Sequence, residues 1–122
     1  MTYISGFVVA VPNANRDAYR ACAAAAAEIF RDYDAIELVE AWGDKVPEGK
    51  VTDFRRAVQA EDDETVVFSW IRWRDKAAAD ACEAAMHSDE RMKDLPEMPF
   101  DGSRMIFGGF VPIFEMDKED RA

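Results

Sequence analysis

Residues 65–73 read Thr-Val-Val-Phe-Ser-Trp-Ile-Arg-Trp. Branched and aromatic side chains dominate the stretch, and the acidic turn Glu61-Asp62-Asp63-Glu64 precedes it, which marks it as a strand. Successive side chains of a strand point to opposite faces. One face here carries Val66, Phe68, Trp70 and Arg72; the other carries Val67, Ser69, Ile71 and Trp73. Both faces are mainly apolar. An antiparallel sheet with one face in water would alternate apolar and polar residues, so this strand requires cover on both sides.

The same double-sided pattern recurs at both ends of the chain. Residues 3–11 form an apolar run closed by Pro12, with Phe7, Val9 and Val11 opposite Ile4, Val8 and Ala10. Residues 105–114 read as the last strand, with Met105, Phe107, Val111 and Ile113 opposite Ile106, Phe110 and Phe114. Residues 35–42 supply another strand, ended by Gly43, with Ile36 and Leu38 on one face and Val39 and Ala41 on the other. Between strands lie two helical patterns. In residues 16–33, Tyr19, Cys22, Ala23, Ala26, Phe30 and Tyr33 recur at three- and four-residue spacing, with Asn13 and Asn15 as capping residues. Asp75 caps the second, to about His87, with Ala78, Ala81, Cys82, Ala85 and Met86 as its buried stripe; a short turn of helix follows at 89–93. Residues 43–52 read as loop, and residues 54–60 as a weak strand that hairpins across the acidic turn.

This order, strand, helix, strand, hairpin arm, strand, helix, strand, predicts an α+β ferredoxin-like βαββαβ fold: a four-stranded antiparallel sheet with both helices on one face, plus an extra arm. A single domain spans 1–122, with residues 115–122 as a charged tail. Two helices cover one sheet face. The simplest cover for the other is a second copy, which predicts a two-fold homodimer with facing sheets, a dimeric α/β barrel. The space between the sheets is an apolar cleft able to take a small apolar or aromatic molecule.

Charge and composition exclude other classes. The 122 residues include 25 acidic and 15 basic side chains and one histidine, a net charge of −10, with no basic stripe for nucleic acid. No segment approaches the length of a membrane span, and residues 1–12 lack the basic start of a signal peptide. Cys22 and Cys82 lie far apart among alanines and read as inert buried thiols. One histidine and two scattered cysteines do not assemble a zinc site, and no nucleotide-binding or hydrolase motif is present. The expectation is a cytoplasmic protein without metal or cofactor, contacting neither membrane nor nucleic acid.

Several stretches together are similar to a known family: Ser5-Gly6-Phe7-Val8-Val9, the loop from Gly43-Asp44-Lys45-Val46-Pro47 to Gly49-Lys50-Val51-Thr52, Val66-Val67-Phe68-Ser69-Trp70-Ile71, and Met98-Pro99-Phe100-Asp101-Gly102-Ser103-Arg104-Met105-Ile106-Phe107-Gly108-Gly109-Phe110. The chain resembles the bacterial domain-of-unknown-function family 1428. The resemblance implies a ferredoxin-like dimeric α/β barrel and no established activity. The wider superfamily includes cofactor-free monooxygenases, isomerases, haem-degrading enzymes and chlorite dismutase-like proteins, and fold alone does not choose among them.

Each candidate site residue has a functional and a structural reading. Arg55 and Arg56, with Lys50, belong to a lid over the cleft that holds a substrate anion, or to an arm that embraces the partner subunit and is fixed by Arg–Asp pairs. Arg104, oriented by Asp101, reaches a ligand anion, or the two pair across the Asp101-Gly102 turn. Arg72, beside Trp70, is a cation aimed into the cleft, or it extends to solvent at the strand end. Trp70 is a binding platform or core. His87 and Asp101 are the candidate catalytic bases, although a histidine at a helix end also serves the helix dipole. Two function classes follow: cofactor-free oxygenase or isomerase chemistry in the cleft, or a non-enzymatic ligand-binding or structural homodimer.

Overall fold

The computed structural model describes residues 1–118; the end of the charged tail, residues 119–122, lies outside the described residues. Four strands form one antiparallel sheet: β1 (Tyr3–Pro12), β2 (Ala35–Trp42), β3 (Glu64–Trp73) and β4 (Ile106–Phe110), in spatial order β2-β3-β1-β4. Helix α1 (Arg16–Asp32) joins β1 to β2, and α3 (Lys76–Ala85) follows β3. A single helical turn, α2 (Phe54–Ala57), lies in the arm, and another, α4 (Glu90–Lys93), follows α3. This is the ferredoxin-like α+β arrangement expected from the sequence.

Pairing register assigns every side chain to a face. Tyr3 pairs with Trp73, Phe7 with Ser69, and Val9 with Val67. These odd-numbered residues of β1 and β3 face the helices. Val9, Val11, Val67, Ile71 and Trp73 are buried there, with Cys22, Ala26 and Ile29 of α1 and Ala78, Ala79 and Cys82 of α3. Trp73 anchors this layer: its indole N–H donates to Ser5 Oγ at 2.9 Å, and Phe30 meets its ring edge-on at 6.1 Å between centroids. The alanines of α3 bring that helix close to the sheet, and Asp75 caps it by accepting from the Ala78 N–H at 2.8 Å.

Four local expectations are corrected. The arm is no hairpin: Asp53 accepts from the Arg56 N–H at 2.7 Å and starts the helical turn α2 instead of a strand. The last strand stops at Phe110 rather than 114, because Pro112 has no N–H to donate to the β1 ladder. A bulge between Ala35 and Glu37 turns Ile36 out to solvent and breaks its alternation with Leu38. Asn15 stands before α1 without capping it; its side chain donates to Pro99 O at 3.0 Å and ties the 96–101 segment to the helix start.

Candidate functional site

The candidate site is the sheet face turned away from the helices. Its residues lie in rows across the strands. Phe110, Ile4, Arg72 and Glu37 form one row; Gly108, Gly6, Trp70 and Val39 the next; Ile106, Val8, Phe68 and Ala41 the third. A fourth, Ala10 and Val66, is buried under Val58 and Ala60 of the arm. Phe54 meets Phe68 edge-on at 6.0 Å, and Phe68 in turn meets Trp70 at 5.7 Å. The arm thus closes one end of the face and leaves the first three rows uncovered.

A depression of about 580 Å³ occupies the uncovered part, lined by the side chains of Ile4, Val8, Phe68, Trp70, Ile106 and Phe110 and by Gly6 and Gly108, and bordered by Phe7 and Phe107, whose parity turns them toward the helix side. The glycine pair Gly6 and Gly108 lies at its centre, beneath an aromatic ring. The Phe110 ring lies across both: a Cβ on Gly6 would come within 3.3 Å of it, and one on Gly108 within 3.4 Å. On the other side of the same strand, Tyr3 Oη occupies the place a Gly109 side chain would take. The Gly108-Gly109 step therefore admits one aromatic ring on each face of β4.

The polar groups gather at the row beside the depression. The Trp70 indole N–H donates to Glu37 Oε1 at 2.8 Å. Arg72 sits next to Glu37 and Glu115 at 3.9 and 3.8 Å, ion-pair distances too long for hydrogen bonds. Its Nε is buried and has no hydrogen-bond partner among the described residues.

The structure separates the sequence-predicted residues into three places. Trp70 lines the depression and Arg72 stands in the adjacent row. Arg55, Arg56, Asp101 and Arg104 meet at the arm. Arg55 donates to Glu61 O at 2.7 Å and Glu64 O at 3.0 Å; Arg56 donates to Gly49 O at 2.6 Å and pairs with Asp53 at 3.3 Å. Arg55 and Arg56, together with Val46, Glu48, Asp53, Gln59 and Ala60, line a second, mixed-charge cavity of about 530 Å³, which Asp101 and Arg104 do not reach. Arg104 grips Glu64 with both terminal nitrogens at 2.7 Å, donates to Gln59 O at 2.7 Å and pairs with Asp101 at 3.1 Å. Asp101 also accepts from the Ser103 N–H and hydroxyl, bonds that hold its carboxyl below the usual range. His87 is exposed beyond the end of α3 and lines neither cavity.

Some functional candidates carried no sequence signal. Glu64, read only as part of an acidic turn, is buried and is the hub of the arm. Glu37 became a partner of Trp70 only through register. On the helix side, Tyr19 Oη donates to Glu40 at 2.7 Å; loss of water contact raises both groups' pKa values, and burial pushes the Cys82 thiol up to about 11. Cys22 and Cys82 are free and buried.

A four-stranded antiparallel sheet with helices on one face places the chain in the ferredoxin-like α+β class. Residues 2–102 match the protein family of unknown function DUF1428, and the chain belongs to that family. It is similar to the uncharacterized protein YbaA of Escherichia coli K12 and of Shigella flexneri, 55% identical over 116 residues that cover 94% of this chain and 99% of each relative. Among solved structures it resembles a dimeric ferredoxin-like protein from an uncultured marine organism (TM-score 0.58, 10% identity, 94% of this chain and 98% of the other). It also resembles Rv0793 from Mycobacterium tuberculosis (TM-score 0.50, 16% identity, 96% and 100%). At these identities the two structures speak to fold alone. No helix among the described residues is long and apolar enough to cross a membrane.

Proposed function

We propose that this chain acts as a homodimer whose uncovered sheet faces close on each other and bind a small, flat apolar molecule carrying one anionic or hydrogen-bond-accepting group. The observation that carries the reading is the apolar depression around Gly6, Gly108 and the Phe110 ring, on the part of the sheet face that no described element covers. An apolar body lies on the Phe110 ring, which itself covers Gly6 and Gly108, and against Trp70, while the acceptor group meets the Arg72 guanidinium in the adjacent row, whose buried Nε has no hydrogen-bond partner among the described residues. A second copy supplies the roof and removes water, which strengthens that polar contact.

Binding is favoured over turnover by the placement of the candidate bases. Cofactor-free oxygenase or isomerase chemistry needs a base within hydrogen-bond reach of the substrate. His87 and Asp101 lie outside the depression, and Asp101 is engaged by Ser103 and Arg104. Arg55, Arg56 and Arg104 act in this reading as the framework of the arm. The free thiols of Cys22 and Cys82 fit a cytoplasmic location.

The test is titration with 2-naphthoate, followed by tryptophan fluorescence and thermal unfolding. The reading expects saturable quenching that is lost in Trp70→Phe, and a raised midpoint. Arg72→Gln should weaken the carboxylate roughly tenfold while leaving naphthalene itself unchanged, since a charge-assisted hydrogen bond contributes about 1.5–3 kcal/mol. Absence of saturable binding to either ligand would overturn the proposal.

A further inference from the structure

The chain does not end its apolar character at β4. Residues 111–116 read Val-Pro-Ile-Phe-Glu-Met. Pro112 prevents them from continuing the ladder. Val111 is 62% exposed, Ile113 99%, Phe114 81% and Met116 80%. A run of four large apolar side chains left almost wholly in water is unlike the scattered surface hydrophobics of ordinary proteins. The segment is nevertheless anchored. Glu115 accepts from Thr2 Oγ1 at 2.6 Å and pairs with Arg72 at 3.8 Å. Arg72 belongs to the uncovered face, so the segment is drawn toward that face and away from the helices.

Resting on the face-to-face dimer proposed above, we infer that residues 111–116 are an exchange arm. Each copy lays Ile113 and Phe114 against the other copy and closes one end of the space between the sheets. Three observations support a second copy as the occupant. The arm is continuous with the uncovered face through Arg72, so one contact buries both. Its single charge, Glu115, is already paired, so it meets another chain of net charge −10 without bringing an unpaired like charge. Its four side chains expose on the order of 500 Å², and with the open face this reaches the roughly 800 Å² per partner of a stable interface. Under two-fold symmetry both arms make the same contact, and the ligand space is closed only when both are in place.

The experiment compares wild type with the double variant Ile113→Asp/Phe114→Asp by sedimentation velocity across a dilution series. The inference expects a dimeric wild type and a dimer dissociation constant raised roughly tenfold or more in the variant. As a readout independent of variant stability, a photo-crosslinking phenylalanine analogue replaces Phe114 in a mixture of ¹⁴N- and ¹⁵N-labelled protein. Cross-links between differently labelled chains are expected. A monomeric wild type would overturn the dimer itself. A dimeric wild type with an unaltered variant constant, or cross-links confined to single chains, would overturn the arm alone.

Discussion

Glu64 accepts three hydrogen bonds, from both terminal nitrogens of Arg104 and from the Glu61 N–H. The Arg104 bonds outweigh the burial and hold its carboxyl below the ordinary value of 4.5. A carboxylate with a depressed pKa contributes its stability above the ordinary value and loses it as pH falls through the depressed one. Glu64→Gln is therefore expected to destabilise by on the order of 2 kcal/mol in urea unfolding at pH 7. That gap should narrow steadily below about pH 4.5; a gap independent of pH would contradict the assignment. Gly109 supplies a second test at this scale. An added methyl meets the Tyr3 ring, so Gly109→Ala is expected to cost about 1–2 kcal/mol. Gly102→Ala, where a Cβ meets nothing within 4 Å, should be neutral. Neither the Glu64 clamp nor the glycine pair was legible in the sequence. Arg104 lies 40 residues from Glu64, and only strand pairing sets Gly108 beside Gly6.

The strands were legible where both faces wrote their own pattern. Residues 65–73 carry the parity that puts Trp70 and Arg72 on one face, and the structure keeps that parity. The arm was misread because Phe54, Val58 and the acidic turn resemble half of a hairpin. What decides it is local: the Asp53 side chain takes the Arg56 N–H, and Phe54 and Val58, four residues apart, then share a side and cover the end of the sheet. Val58 is fully buried against Ala10 and Val66. Val58→Ala is expected to cost about 2 kcal/mol and to release the arm preferentially. Hydrogen exchange should then accelerate across residues 46–60 while β1 and β3 stay protected. Uniform acceleration over the whole sheet would show that the arm is no separate unit.

At the scale of the molecule, the apolar half of the composition exceeds what one helix-covered sheet can hide. The helices take the face carrying Val9, Val67, Ile71 and Trp73. The arm takes one end of the other face, and what is left is a surface of Phe68, Trp70, Ile106 and Phe110 on a chain of net charge −10. On the reading proposed above, a second copy covers that face. Sedimentation equilibrium of the wild-type chain at micromolar concentration tests this most directly. Twice the chain mass of 13.8 kDa is expected, with dissociation promoted by Phe68→Asp on the uncovered face and not by Arg20→Asp on α1. A single species at the chain mass over the whole concentration range would contradict the account.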